Sequence, residues 1–186
     1  PGVYEMPAET YHADPVPGGS LSSSGARKLL SPSCPALFAY EREHGQARKR
    51  VWDIGHAAHK LVLGNGPELV RINHDEWRTN AIKAEVKAVS DSGAIPLKPA
   101  EHDMVNEMAE AIRNHKTASA LFNPLGGRAE QSLFWQDVAT GVQCRARLDW
   151  LPFPQAGRLI VPDYKTTKDA SPEGIQKASH QFGYHQ

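Results

Sequence analysis

Two stretches decide how this chain folds: Val142-Gln143-Cys144-Arg145-Ala146-Arg147-Leu148-Asp149-Trp150-Leu151, and after a short break Arg158-Leu159-Ile160-Val161-Pro162-Asp163-Tyr164-Lys165. Side chains alternate across a strand, so Val142, Cys144, Ala146, Leu148 and Trp150 share one face, while Gln143, Arg145, Arg147 and Asp149 share the other. The first face reads as core and the second as polar. In the next segment Leu159, Val161, Asp163 and Lys165 share a face, which sets a carboxylate beside an ammonium. Pro162 has no amide to give a ladder, so regular pairing is expected to end where Asp163 begins.

Upstream, the period of two starts at Glu130, and Gln131–Gln136 reads as a strand joined to Val142–Leu151 by the hairpin-length turn Asp137–Gly141. Helices are expected around these strands. Ser24 caps a short one over Gly25–Leu30, and Pro35 opens another as a first-turn proline. Val51–Leu63 carries Ile54, Ala58, Leu61 and Val62 near one stripe, and after Pro99 the residues Met104, Val105, Met108, Ala109 and Ile112 recur at three- and four-residue steps. A further helix is expected around Thr79–Ser90, and a short strand at Ala94–Leu97. Ser171-Pro172-Glu173 starts a helix that runs to the end of the chain. Residues 1–20 hold Pro1, Pro7, Pro15, Pro17 and Gly18-Gly19, too many breakers for a long element, and read as an extended arm ahead of a single domain over 21–186. Pro1 and Gln186 both look like trimmed ends.

The 186 residues are 40% apolar and 23% charged, the profile of one globular α/β domain. Lysine plus arginine number 21 and aspartate plus glutamate 21. That balance excludes a polybasic protein held to nucleic acid by bulk charge, and an acidic tail. Cys34 and Cys144 stand far apart and read as two buried thiols of a reducing compartment. No apolar run is long enough to span a membrane, and no signal-peptide pattern opens the chain, so a cytoplasmic protein is expected. Trp52 and Trp135 read as packing residues.

Asp149, Asp163 and Lys165 form an acid–base cluster with a specific use. Two carboxylates hold a hard divalent cation through oxygen, and an ammonium beside them can orient a water or stabilise charge developing on a phosphoryl group. An exposed cross-strand ion pair, worth ~0.2–1 kcal/mol, leaves the same trace in sequence.

Further segments add order to that cluster: Gly55-x-x-x-His59, Ala129-Glu130-x-Ser132, Arg147-x-Asp149, Asp163-Tyr164-Lys165-Thr166-Thr167 and Tyr184-His185. The set resembles the RecE nuclease domain, a phage-type exonuclease in the RecB-type branch of the PD-(D/E)xK nucleases. The resemblance implies a restriction-endonuclease-like central mixed β-sheet flanked by helices, with an N-terminal helical layer that supplies His59. It implies His59, Asp149, Asp163 and the carbonyl of Tyr164 as metal ligands and Lys165 as the catalytic lysine. Glu130 matches a carboxylate lining the site, expected to meet the metal from outside its first shell or through water. The family's last-helix Gln, aligned on Tyr184-His185, falls one position beyond Gln186, so Gln181 and Gln186 stand only as substitutes and the chain is expected to be truncated there. The implied activity is exonucleolytic hydrolysis of double-stranded DNA ends, 5′ to 3′, in recombination, with a single-strand annealing protein as partner and a homo-oligomeric assembly.

Imidazole suits Mn²⁺ better than Mg²⁺, so a site using His59 should accept Mn²⁺, with Mg²⁺ the expected cellular ion. Two other readings stay open. His56 and His59, three apart on one helix, are also half of a zinc site for a zinc-dependent hydrolase, and a silent DNA-end-binding module keeps the same fold without hydrolysis. Arg145 and Arg147 lie on the Asp149 face, where they either contact DNA phosphates or balance carboxylates. Tyr184 and Gln186 are weaker candidates for DNA contact. Arg48-Lys49-Arg50 reads as a backbone track or as solvated surface.

Overall fold

A computed structural model describes residues 1–30, 33–45 and 50–182. The chain begins with β1 (Gly2–Tyr4), α1 (Ala8–His12), β2 (Leu21–Ser22), α2 (Ser23–Lys28) and α3 (Pro35–His44). It continues with α4 (Arg50–Leu63), β3 (Leu69–Arg71), α5 (Asn80–Asp91), β4 (Ile95–Leu97), α6 (Pro99–Asn114) and α7 (Lys116–Leu121). The long hairpin β5 (Gly127–Gln136) and β6 (Gln143–Pro152) follows, and α8 (Pro172–Phe182) closes the described part.

The hairpin organises a mixed four-stranded sheet of order β1-β5-β6-β2, in which β1 and β5 run antiparallel to their neighbours and β2 runs parallel to β6. Its turn is fixed locally. The Asp137 carboxylate accepts the Thr140 amide at 2.8 Å, and Gly141 takes the positive φ of 71° that a β-carbon would strain. β3 and β4 form a separate parallel pair. The segment read as an extended arm holds only short elements, as its prolines require. Gly2, Val3 and Tyr4 lie opposite Phe134, Leu133 and Ser132 of β5, and Asp14 accepts the Ser20 amide at 2.7 Å.

The hydrophobic core sits between α4, α6 and β4: Ala57, Ala58, Ile95, Leu97, Val105 and Tyr164 are buried together, with Ile54, Leu61, Val62, Met108 and Ile112 packed around them. These are the stripes that the helical spacing marked. Helix starts follow their capping chemistry, with the Ser22 hydroxyl accepting the Gly25 amide, Thr79 that of Ile82 and Ser171 that of Gly174. The first of these helices therefore begins two residues earlier than Gly25.

Two expectations fail. No third strand forms over Arg158–Lys165: the segment pairs with no strand among the described residues, and Leu159, Ile160 and Val161 are 52%, 56% and 41% exposed. Pro162 withholds an amide that a ladder would need, and just before the segment Gly157 turns the chain at φ 96°. The cysteines are not two buried thiols. Cys34 is exposed at the start of α3 and Cys144 is partly buried. Trp52 and Trp135, read as packing residues, are 37% and 39% exposed. Among the described residues no helix is long and apolar enough to cross a membrane.

Candidate metal centre

Asp149 is the hub of the site. β6 presents it on the polar face, with a side chain only 14% exposed. The Tyr164 amide donates to its Oδ2 at 2.7 Å, His59 Nδ1 stands 3.8 Å from the same oxygen, and so does the Lys165 ammonium. Burial pushes the Asp149 carboxyl above the ordinary carboxylate range; Lys165 and His59 pull it down without overcoming that, and the nearby Asp163 charge adds to the rise.

Each neighbour is set by its element. His59 follows the fully buried Ala57 and Ala58 on α4, and its ring meets the Tyr164 ring edge to face at 5.2 Å. Tyr164 anchors in the core, where burial raises its phenol, so the backbone between Asp163 and Lys165 is pinned although no ladder holds it. Gly55, one turn before His59, faces Thr166: a β-carbon there would stand 3.6 Å from the Thr166 hydroxyl, so α4 and the 163–167 segment lie in contact.

Glu130 completes the cluster through an unusual backbone. It lies across from Asp149 in the hairpin with φ 56°, while Ala129–Trp150 and Gln131–Leu148 keep their register on either side. A non-glycine residue in the left-handed region costs ~1–3 kcal/mol and persists only where its surroundings force it. Arg147 supplies that surrounding. Its side chain is 12% exposed; Nε donates to Glu130 Oε2 at 2.5 Å, and Nη1 donates to the Ser132 hydroxyl at 2.8 Å and the Met6 carbonyl at 3.2 Å.

His59, Glu130 and Asp149 offer one ligand atom each, all within 4.8 Å of one another, the one such group of three found among the described residues. One imidazole nitrogen and two carboxylate oxygens fit a six-coordinate Mn²⁺ or Mg²⁺, with positions left for other oxygens. Compared with the expected ligands, Glu130 stands inside the group and Asp163 outside it. The Asp163 side chain is 55% exposed and turns to Lys165, 2.6 Å away. His56 lines the same cleft of about 630 Å³ as His59 but lies outside the three-residue group.

The basic candidates are engaged within the fold. Arg145 pairs with Asp14 and reaches the Ser20 hydroxyl at 3.2 Å. Arg50 pairs with Glu101, donates to the Pro96 carbonyl at 2.7 Å and covers the Trp77 ring at 4.3 Å. Arg48, Lys49, Tyr184, His185 and Gln186 lie outside the described residues, while Gln181 is exposed on α8. Met6, Pro7, Glu9 and His12 also line the cleft, a contribution the proline-rich start gave no sign of.

A family model described as a PDDEXK-like domain of unknown function (DUF3799) matches residues 22–186. The chain belongs to this family. The match agrees with the resemblance to the RecE nuclease domain that the ordered motifs carry, and no curated protein matches the chain. The matched range contains Asp149 and the Asp163-Tyr164-Lys165 triplet. Residues 1–21 lie outside the family match, so part of the cleft wall is built by chain that the family description does not cover.

Proposed function

We propose that this PDDEXK-like chain is a metal-dependent DNA exonuclease that hydrolyses phosphodiester bonds at double-stranded ends in the 5′-to-3′ direction. The observation that carries the reading is the convergence of His59, Glu130 and Asp149 within 4.8 Å, with the Lys165 ammonium 3.8 Å from Asp149. A divalent ion held by these three residues would supply positive charge to the phosphoryl oxygens and lower the pKa of a water. The chain's own groups do the rest. Lys165 is half exposed and held by Asp163 and Asp149, so its ammonium is a charge fixed beside the Asp149 carboxylate, where it orients the attacking water or meets the charge developing on phosphate. The Tyr164 amide, donating to Asp149, holds that carboxylate in one rotamer. His59 is supplied by α4, and the imidazole favours acceptance of Mn²⁺ alongside Mg²⁺.

The same reading places the enzyme in recombination in a bacterial or phage-infected cytoplasm, as a homo-oligomer handing single strands to an annealing protein. Digestion of linear duplex labelled at one 5′ end, with Mn²⁺ or Mg²⁺, tests it. The wild type should release labelled mononucleotides, and Lys165→Ala and Asp149→Ala should lose at least about 10²-fold in rate. Equal digestion by all three proteins would overturn the assignment. Duplex binding without digestion by the wild type would leave the silent end-binding module, and activity with Zn²⁺ alone would leave the zinc hydrolase.

A further inference from the structure

Arg147 sits two residues before Asp149 on the same face, yet its guanidinium faces the protein. Nε is committed to Glu130, Nη1 to Ser132 and Met6, and the group lies 5.7 Å over the buried ring of Tyr11. Its four contacts therefore belong to two separate parts of the chain: the hairpin that carries the metal cluster, and the N-terminal segment that lies outside the family match. That segment is held by the ladder of Gly2–Tyr4 on β5, by the Tyr11 ring against Phe134 and Arg145, and by Arg147, and it walls the cleft with Met6, Pro7, Glu9 and His12.

We propose that Arg147 is a positioning residue that couples docking of the N-terminal segment, residues 2–12, to the geometry of the metal cluster, holding the Glu130 carboxylate through Nε and the Met6 carbonyl through Nη1. The inference rests on the metal reading above. A planar fork holds Nε and Nη1 in a fixed relation to both partners, which a single ammonium on a flexible stem does not. Glu130 has a left-handed backbone that nothing in its own sequence favours, and the bond from Arg147 fixes where its carboxylate points. Coupling is reciprocal: if the docked segment favours the cluster, a metal ion on the cluster must favour the docked segment by the same factor.

A purely electrostatic role predicts the opposite sign. A cation 2.5 Å from a ligand carboxylate competes with a metal ion, so its removal would tighten metal binding. A positioning role predicts that removal weakens it.

Calorimetric titration of the protein with Mn²⁺ alone separates the two. Arg147→Met should weaken Mn²⁺ binding by about 10–100-fold, the range typical for loss of a residue that orients a metal ligand. Arg147→Lys, which keeps the charge without the fork, should recover only part of this. Hydrogen exchange gives a second readout: in the wild type, Mn²⁺ should slow exchange of the Tyr11 amide, which bonds the Pro7 carbonyl at 3.1 Å, and in Arg147→Met it should not. If Arg147→Met does not fold, Ser132→Ala serves, since it removes one Nη1 acceptor and keeps the cation; Mn²⁺ affinity should fall a few-fold. Wild-type protein that binds no Mn²⁺ would refute the metal reading itself. Wild-type binding with unchanged or tighter affinity in Arg147→Met or Ser132→Ala, full rescue by Arg147→Lys, or Tyr11 exchange indifferent to Mn²⁺ would overturn the coupling alone.

Discussion

Replacing Asp149 with Asn separates the cost of a buried charge from the gain of a bound metal. The amide has nearly the same volume, and its oxygen can still accept the Tyr164 amide, now 2.7 Å from Oδ2. Taking a carboxylate out of water costs several kcal/mol. Against this, the half-exposed Lys165 ammonium 3.8 Å away is screened to about 1 kcal/mol, and the charge-assisted bond from the amide returns about 1.5–3 kcal/mol. Burial wins, as the raised carboxyl shows, so Asp149→Asn should stabilise the metal-free protein by on the order of 1 kcal/mol, about 2–4 °C in Tm for a chain of this size.

The pH dependence has a definite sign. The folded pKa lies above the unfolded one, so this group's contribution is full below the unfolded value, about 4, and is lost as pH rises through the folded value. The variant's advantage should therefore be absent in acid and present at neutral pH. Metal reverses the order. With Mn²⁺ at a hundred times its Kd the wild type gains about 2.7 kcal/mol, roughly 5–10 °C, and Asp149→Asn gains little. Differential scanning fluorimetry at pH 4 and pH 8, with chelator and with Mn²⁺, reads all four conditions. An Asn variant that melts below wild type in chelator at pH 8, or that gains as much from Mn²⁺, refutes the reasoning.

Glu130 invites a comparison that inverts the usual strand preference. Because its φ is 56°, Glu130→Gly should be more stable than Glu130→Ala by about 1 kcal/mol in thermal unfolding, whereas at an ordinary strand position alanine wins. Asp14→Asn should destabilise at neutral pH. Burial raises the Asp14 carboxyl, but the Ser20 amide and hydroxyl and Arg145 together bring it below its usual value. Its contribution is thus present above the unfolded pKa and is lost as pH falls through the folded one. Melting curves of the two proteins should differ by a few degrees at pH 7 and converge in strong acid.

How much of this was legible depended on whether the signal was local. The β5–β6 hairpin was plain because alternation over ten residues and the Asp137–Gly141 turn agree, and α4 and α6 because their apolar stripes recur at helical spacing. The place of Asp149 on the polar face followed from that hairpin, whereas Lys165 was expected beside it from a strand that does not form. Residues 158–165 misled because Leu159-Ile160-Val161 has strand propensity while Pro162 and the turn at Gly157 deny it a ladder, and propensity is the weaker of the two. Glu130's place in the metal group depends on one backbone torsion imposed by Arg147, which no pattern of residue types encodes. The cleft wall at Met6–His12 comes from pairing between residues about 130 apart in the chain, and a proline-rich segment carries no periodicity from which to foresee it.

Electrostatics of the site limit how DNA can be held. Arg50 is committed to Glu101 and Pro96, Arg145 to Asp14 and Ser20, and Arg147 to Glu130, Ser132 and Met6. With 21 basic residues against 21 acidic ones there is no bulk field to draw a polyanion. On the nuclease reading, Glu130 and Asp149 would set negative charge where the scissile phosphate lies, and would repel it until a divalent cation offsets them. On the nuclease reading, duplex affinity must then depend on metal and only shallowly on salt. Each neutralised phosphate contributes about −0.9 to the slope of log K against log salt, so two or three contacts give a slope no steeper than about −3. Fluorescence anisotropy of a labelled duplex end with Lys165→Ala, which should bind without cutting, measures this in Mn²⁺ and in chelator. A slope near −6, or equal affinity without metal, would mean that cations on other faces do the holding and that this cluster is not where the phosphate rests.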